Sequence, residues 1–142
     1  MVEVEGPRTP SGRFAFASVA LERGTAAFER GDHAAASEEL AEAATLVPSL
    51  RRAHYLLGRA QFEAGRPVEA RAALEAATNL KDGWAARLWI ARTHLAEGGA
   101  AAEARARREL ERARALAPDE PEIAAELAGL RAGPHEVGGG DS

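Results

Sequence analysis

The 142-residue chain carries 18 basic and 22 acidic side chains, a net charge of −4, and is 46% hydrophobic with only 5% aromatic residues. That length has room for one domain with a modest core, and an acidic balance offers no positive field to gather nucleic acid or an anionic membrane. Cysteine is absent, which excludes disulfides, thiolate metal sites and thiol nucleophiles.

Residues 1–12 hold Gly6, Pro7, Pro10 and Gly12 without periodic apolar positions, and read as a disordered lead. The lead lacks a basic start and an apolar core, and no run has the length to span a bilayer, so an untargeted cytoplasmic protein is expected. From Arg13 the pattern turns helical. Phe14, Ala17, Leu21, Gly24 and Phe28 recur at three- and four-residue steps, with Ser11 as the expected cap and Gly31 as the stop. Asp32 then caps a helix to about Val47, with Ala36, Leu40 and Ala43 on its apolar stripe, and Pro48 closes the pair.

The plan returns from about Ser49. One helix ends at Gly65, and Pro67 starts another that reaches Leu80, with Leu56, Leu57, Val68, Leu74 and Leu80 expected to supply bulk to the core. Gly83 ends it. A third pair starts near Trp84, turns at Gly98-Gly99, and continues from about Ala101 to Ala117 with Ala106, Leu110, Ala113 and Leu116 on its stripe. Asp119-Glu120-Pro121-Glu122 opens a last helix with Ile123, Leu127 and Leu130 on one face and Glu122, Glu126 and Arg131 outside. Residues 133–142 read as a flexible tail.

The first two pairs repeat with a period of 34. Gly24 matches Gly58, Gly31 matches Gly65, Ala36 matches Ala70, Leu40 matches Leu74, and Ala43 matches Ala77. A fixed period of this length means stacked units that bury their apolar faces against one another. The place of Gly24 and Gly58 must be small because a neighbouring helix packs there. In the third pair it falls on Ala91 or Arg92, and Ala91 is preferred on that ground.

With His54, Leu57-Gly58, Phe62, Ala70, Leu74 and Ala77 in place, the pattern resembles the tetratricopeptide repeat over residues 14–132, although Arg23 stands where Leu is usual and Asp82 where Pro is. The resemblance implies an all-α right-handed solenoid of three helical hairpins, about residues 17–50, 51–83 and 84–118, with a capping helix over 119–132. It also implies a concave groove lined by the first helix of each hairpin. Carried onto this sequence, that groove exposes Leu21, Thr25 and Phe28, then Arg52, Tyr55, Arg59 and Phe62, then Leu88 and Arg92. Tyr55, Arg59 and Phe62 fall on one helical stripe, which suits a segment offering apolar side chains and a carboxylate. Members of this family that clamp a chaperone's C-terminal carboxylate use Lys and Asn where this chain has Leu21 and Thr25, so that clamp is not expected.

No cofactor is expected, and nothing points to catalysis. His33, His54 and His94 lie in separate hairpins, and His135-Glu136 has no second His at helical spacing. The serines have no matched base and acid. Arg105, Arg107, Arg108, Arg112 and Arg114 alternate with Glu103, Glu109 and Glu111 as solvated ion pairs along a helix, or else as a docking face for an acidic partner. The near-exclusive use of Arg, with Lys81 the sole lysine, fits a GC-rich bacterial genome. The expected function is a non-catalytic adaptor or assembly factor that docks a peptide or helix of another protein, without nucleic acid or membrane. Its rivals are a self-associating scaffold pairing through Phe14 and Phe16, and a secretion-type chaperone of an unfolded client.

Overall fold

The computed structural model describes residues 8–131, all of whose regular structure is helical. The helices are α1 (Pro10–Glu29), α2 (His33–Leu46), α3 (Arg51–Glu63), α4 (Pro67–Leu80), α5 (Trp84–Glu97), α6 (Ala100–Leu116) and α7 (Pro121–Arg131). They pair as α1 with α2, α3 with α4 and α5 with α6, and α7 packs on α6. The fold is an all-α helical repeat.

Where the sequence leads one to expect a single domain, the contacts divide the chain into a first compact unit ending at Lys81 and a second beginning at Asp82. The first holds two hairpins. Its α2 packs on α3, and its core is built largely of alanine with Leu40, Leu56 and Leu57 as bulk. The second holds the third hairpin and α7, around Leu88, Leu110, Ile123, Leu127 and Leu130. Small side chains in both let helix axes come close.

The hairpin turns of the first unit share one mechanism. At Gly31 (φ +84°) and Gly65 (φ +81°) the chain enters the left-handed region that glycine adopts without strain. In each, the glycine N–H donates to the carbonyl three residues back, Phe28 or Phe62, at 3.0 Å. The next N–H, of Asp32 or Arg66, reaches five residues back to Ala27 or Gln61 at 2.9 Å, which satisfies carbonyls the helix end would leave open. Asp32 then accepts from the Ala35 N–H at 3.1 Å, so one residue finishes α1 and caps α2.

The close approach read at Gly24 and Gly58 is present. A Cβ on Gly24 would lie 2.6 Å from Leu40 Cγ, and one on Gly58 2.5 Å from Leu74 Cγ. In the third hairpin Ala91 is fully buried in the cluster with Leu110, while Arg92 is only half-buried and pairs with Glu126 of α7, which places the small position at Ala91.

Several boundaries differ from expectation. α1 starts at Pro10 and not near Arg13, and its cap is Thr9, whose hydroxyl accepts from the Gly12 N–H at 2.9 Å, in place of Ser11. Proline at the first helical position is pre-organised for a helix, so Pro10 opens the element instead of belonging to a lead. α4 ends at Leu80, and Gly83 precedes α5 as its N-cap. Val68 and Leu80 are exposed, because the buried stripe of α4 runs through Ala70, Ala73, Leu74 and Ala77. Leu116, expected on the α6 stripe, is exposed as well. The tail from residue 133, with His135, lies outside the described residues.

Candidate functional site

The first unit brings two of the expected groove stripes together. On α1, Leu21, Thr25 and Phe28 follow each other at helical spacing, and on α3, Tyr55, Arg59 and Phe62 do the same. The Arg59 guanidinium lies 5.2 Å from the Phe28 ring centroid and 6.0 Å from that of Tyr55, so a side chain of α3 is held between an aromatic of each helix. Leu21, Phe28 and Tyr55 are half-buried and pack on the core through part of their surface. The rings of Phe28 and Tyr55 flank the guanidinium. Arg52 is exposed at the start of α3, and Phe62 is half-buried at its end.

Thr25 contributes little polarity here. Its hydroxyl donates to the Leu21 carbonyl at 2.7 Å and is turned back onto its own helix. Phe14 belongs with this stripe although it precedes the first repeat unit, which begins at about residue 17. It lies four residues before Ser18 and seven before Leu21 on α1, and it is 60% exposed. Its signal was the apolar spacing that α1 carries upstream of the first matched position.

The second unit contradicts the expectation for Leu88, which is 1% exposed and lies in the core with Ile123, Leu127 and Leu130 of α7. The last helix covers the face on which a groove position would open. Arg92 is likewise engaged from within. Its Nε donates to Glu126 Oε1 at 2.6 Å, Glu122 lies 3.7 Å away, and the Trp89 ring centroid is 4.4 Å from its guanidinium carbon. Glu122 and Glu126, expected on a solvent-facing back, therefore point to α5. Beside them Arg92, Leu95, Ala125, Gly129 and Leu130 line an open cavity of about 450 Å³.

A second charged cluster sits at the start of the third hairpin. Arg87 donates to Asp82 through Nε at 2.9 Å and to Glu109 through Nη1 at 2.9 Å, and Arg112 also donates to Glu109 at 3.0 Å. The Arg87 hydrogen bonds hold the Asp82 carboxyl below the usual aspartate range, against a smaller opposing effect of burial. Asp82 in turn pushes the Arg87 guanidinium further up, with burial again opposing. Glu109 is buried, and the expectation of a wholly solvated Arg–Glu face fails at this residue. Arg107 with Glu103 and Arg114 with Glu111 do pair along α6 as expected.

The histidines serve packing and local bonding. His33 meets Phe28 edge-on with centroids 5.8 Å apart, His54 Nε2 lies 2.9 Å from the Pro48 carbonyl oxygen, and His94 is buried in α5. Among the described residues no group of three His, Asp or Glu side chains is placed to hold a metal ion, and no helix is long and apolar enough to cross a membrane.

Comparison with known proteins agrees with this architecture. Residues 27–95 match the model of the tetratricopeptide repeat. The first TPR of Spaghetti (RPAP3), solved bound to the HSP90 peptide SRMEEVD, superposes with a TM-score of 0.76 at 19% identity, over 82% of this chain and 91% of that one. The Arabidopsis OM64 TPR domain gives 0.79 at 18% identity, over 84% and 98%. The thermophilic TPR protein TTC0263 of Thermus thermophilus gives 0.62 at 23% identity, over 87% of this chain and 64% of that one. No curated protein matches the chain in sequence. The 34-residue period, the paired glycine turns, the matched stretch and the shared helical-hairpin fold lead to one conclusion: residues 27–95 are tetratricopeptide repeat, set in an all-α helical-repeat fold.

Proposed function

We propose that the chain is a non-catalytic docking module, an adaptor or assembly factor acting in the cytoplasm, and that the face shared by α1 and α3 holds a segment of another protein. The observation that carries this reading is the Arg59 guanidinium poised between the Phe28 and Tyr55 rings. A guanidinium stacked on aromatics keeps its fork directed and its donors pre-organised, which favours a carboxylate, while the ring surfaces take apolar side chains. Leu21 and Phe14 extend the apolar part along α1. Peptide capture by the Spaghetti (RPAP3) domain, which has the same fold, supports the reading. The Arg92 position contributes no cation to it, since Glu122 and Glu126 already hold that side chain.

The test is affinity capture from cell lysate with the native chain and with a Tyr55→Ala, Arg59→Glu variant, both first shown equally helical by circular dichroism. A partner segment identified this way should bind at on the order of micromolar affinity, and the variant should lose at least about tenfold of it. Equal capture by both proteins would move the site off this face.

A further inference from the structure

The side of the first hairpin facing away from α3 is a stacking surface. A crease of about 210 Å³ runs between α1 and α2, lined by Phe16, Val19, Ala20 and Arg23 on α1 and by Glu39 and Glu42 on α2. Phe16 is 43% and Val19 44% exposed. Phe14, two positions from Phe16, lies about 200° round the helix and belongs to the other face, so the two phenylalanines do not form one patch.

The repeat shows what this surface is for. Thirty-four residues on, the places of Phe16, Val19, Arg23, Glu39 and Glu42 are taken by Leu50, Ala53, Leu57, Ala73 and Ala76. In the second hairpin these positions meet the first: Ala53 packs with Ala43 and Ala44, and Leu57 and Ala73 share a cluster with Ala36 and Leu40. The crease is thus the same docking face one repeat earlier.

Its chemistry has been altered in a way that specifies the occupant. Apolar residues at three places have become one cation, Arg23, and two anions, Glu39 and Glu42, and Glu39 Oε2 is buried without a hydrogen-bond partner. The outer face of α2, with Ala41 and Ala44, is already packed on the second hairpin of the same chain and is not open to a second copy. The patch itself offers what it needs. Arg23 stands on one helix and the glutamates on the other, so a two-fold axis through the crease sets each Arg23 against the Glu39 and Glu42 of a second copy, with Phe16 and Val19 packing across the axis.

We propose that this crease is an isologous homodimer interface, joining two copies of the chain through α1 and α2 of their first hairpins. It lies apart from the Arg59 face and does not depend on the docking reading. The test is the mass of the full chain by light scattering and sedimentation from about 1 to about 300 μM, where a dimer of this kind should populate. The expected result is a concentration-dependent rise toward twice the 14.9 kDa chain mass. Val19→Asp should raise the dimer dissociation constant at least about tenfold with helicity unchanged. Arg23→Glu alone, and the Glu39→Arg, Glu42→Arg pair alone, should each be monomeric, whereas an equimolar mixture of those two proteins should form a heterodimer, because a two-fold contact restores both charge matches. The Tyr55→Ala, Arg59→Glu variant should dimerise as the native chain does. A native chain that stays monomeric over the whole range, or charge variants that fail to recombine while Val19→Asp still dimerises, would overturn the proposal.

Discussion

A methyl group added at Gly58 would sit 2.5 Å from Leu74 Cγ and 3.0 Å from the Ala70 carbonyl oxygen, and the backbone oxygen cannot rotate away. Gly58→Ala should therefore destabilise the first unit by about 1–3 kcal/mol, the cost of overpacking outweighing about 1 kcal/mol gained in helix propensity. Gly129 is the control. It is exposed within α7 with nothing in contact range of an added Cβ, so Gly129→Ala should stabilise by about 0.5 kcal/mol, and urea denaturation of the two variants should shift in opposite directions. The place of Gly58 was legible because its smallness repeats at Gly24, and Ala91 could be chosen over Arg92 by the same reasoning. Leu88 was misplaced for a reason of geometry: counting along a repeat gives the face of a residue but not what a later helix adds to it, and Leu88 is buried in one cluster with α7. Phe28, Tyr55 and Arg59 could be placed on their stripes from sequence. That the guanidinium falls between two rings depends on side-chain directions which spacing does not determine.

At the level of elements, the starts and stops of α2 and α4 were plain in the sequence because Asp32, Gly31, Gly65 and Pro67 each have one strong local reason to be where they are. The charged cluster of α5 and α6 was not. Arg87 and Glu109 are 22 positions apart and meet only after the hairpin closes. Glu109 is buried, so Glu109→Ala should cost the second unit about 1–3 kcal/mol by removing the acceptor that both Arg87 and Arg112 use. The Asp82 arm is more exposed and contributes less, under about 1 kcal/mol. Its folded-state acidity is raised, so its contribution is present in full above the ordinary aspartate value of about 3.9 and is lost as pH falls through the lower folded value. Acid titration of stability should accordingly be shallower in Asp82→Asn than in the native chain below about pH 4. The double-glycine turn before α6, with φ of +79° and +94°, has no counterpart in the other hairpins, and α6 is 17 residues long where α2 and α4 are 14.

For the whole molecule, the division between Lys81 and Asp82 has a chemical handle, since Lys81 is the sole lysine, exposed, and in extended conformation. A lysine-specific protease should cut there once. The fragment ending at Lys81 keeps both of its hairpins and its own core, and should retain a cooperative thermal transition by circular dichroism. The fragment from Asp82, with a single hairpin and α7, is small enough that its transition should lie lower. Loss of all helicity from the first fragment would show that its core needs the rest of the chain.

Trp84 and Trp89, the two tryptophans, both lie on α5, whereas the single tyrosine, Tyr55, lies on α3. Indole emission excited at the red edge therefore reports on the second unit alone, and far-ultraviolet ellipticity reports on both. Following one denaturation with the two signals gives, without any label or mutation, a direct measure of cooperativity: coincident curves mean that the units melt together, and separated curves give the stability of each.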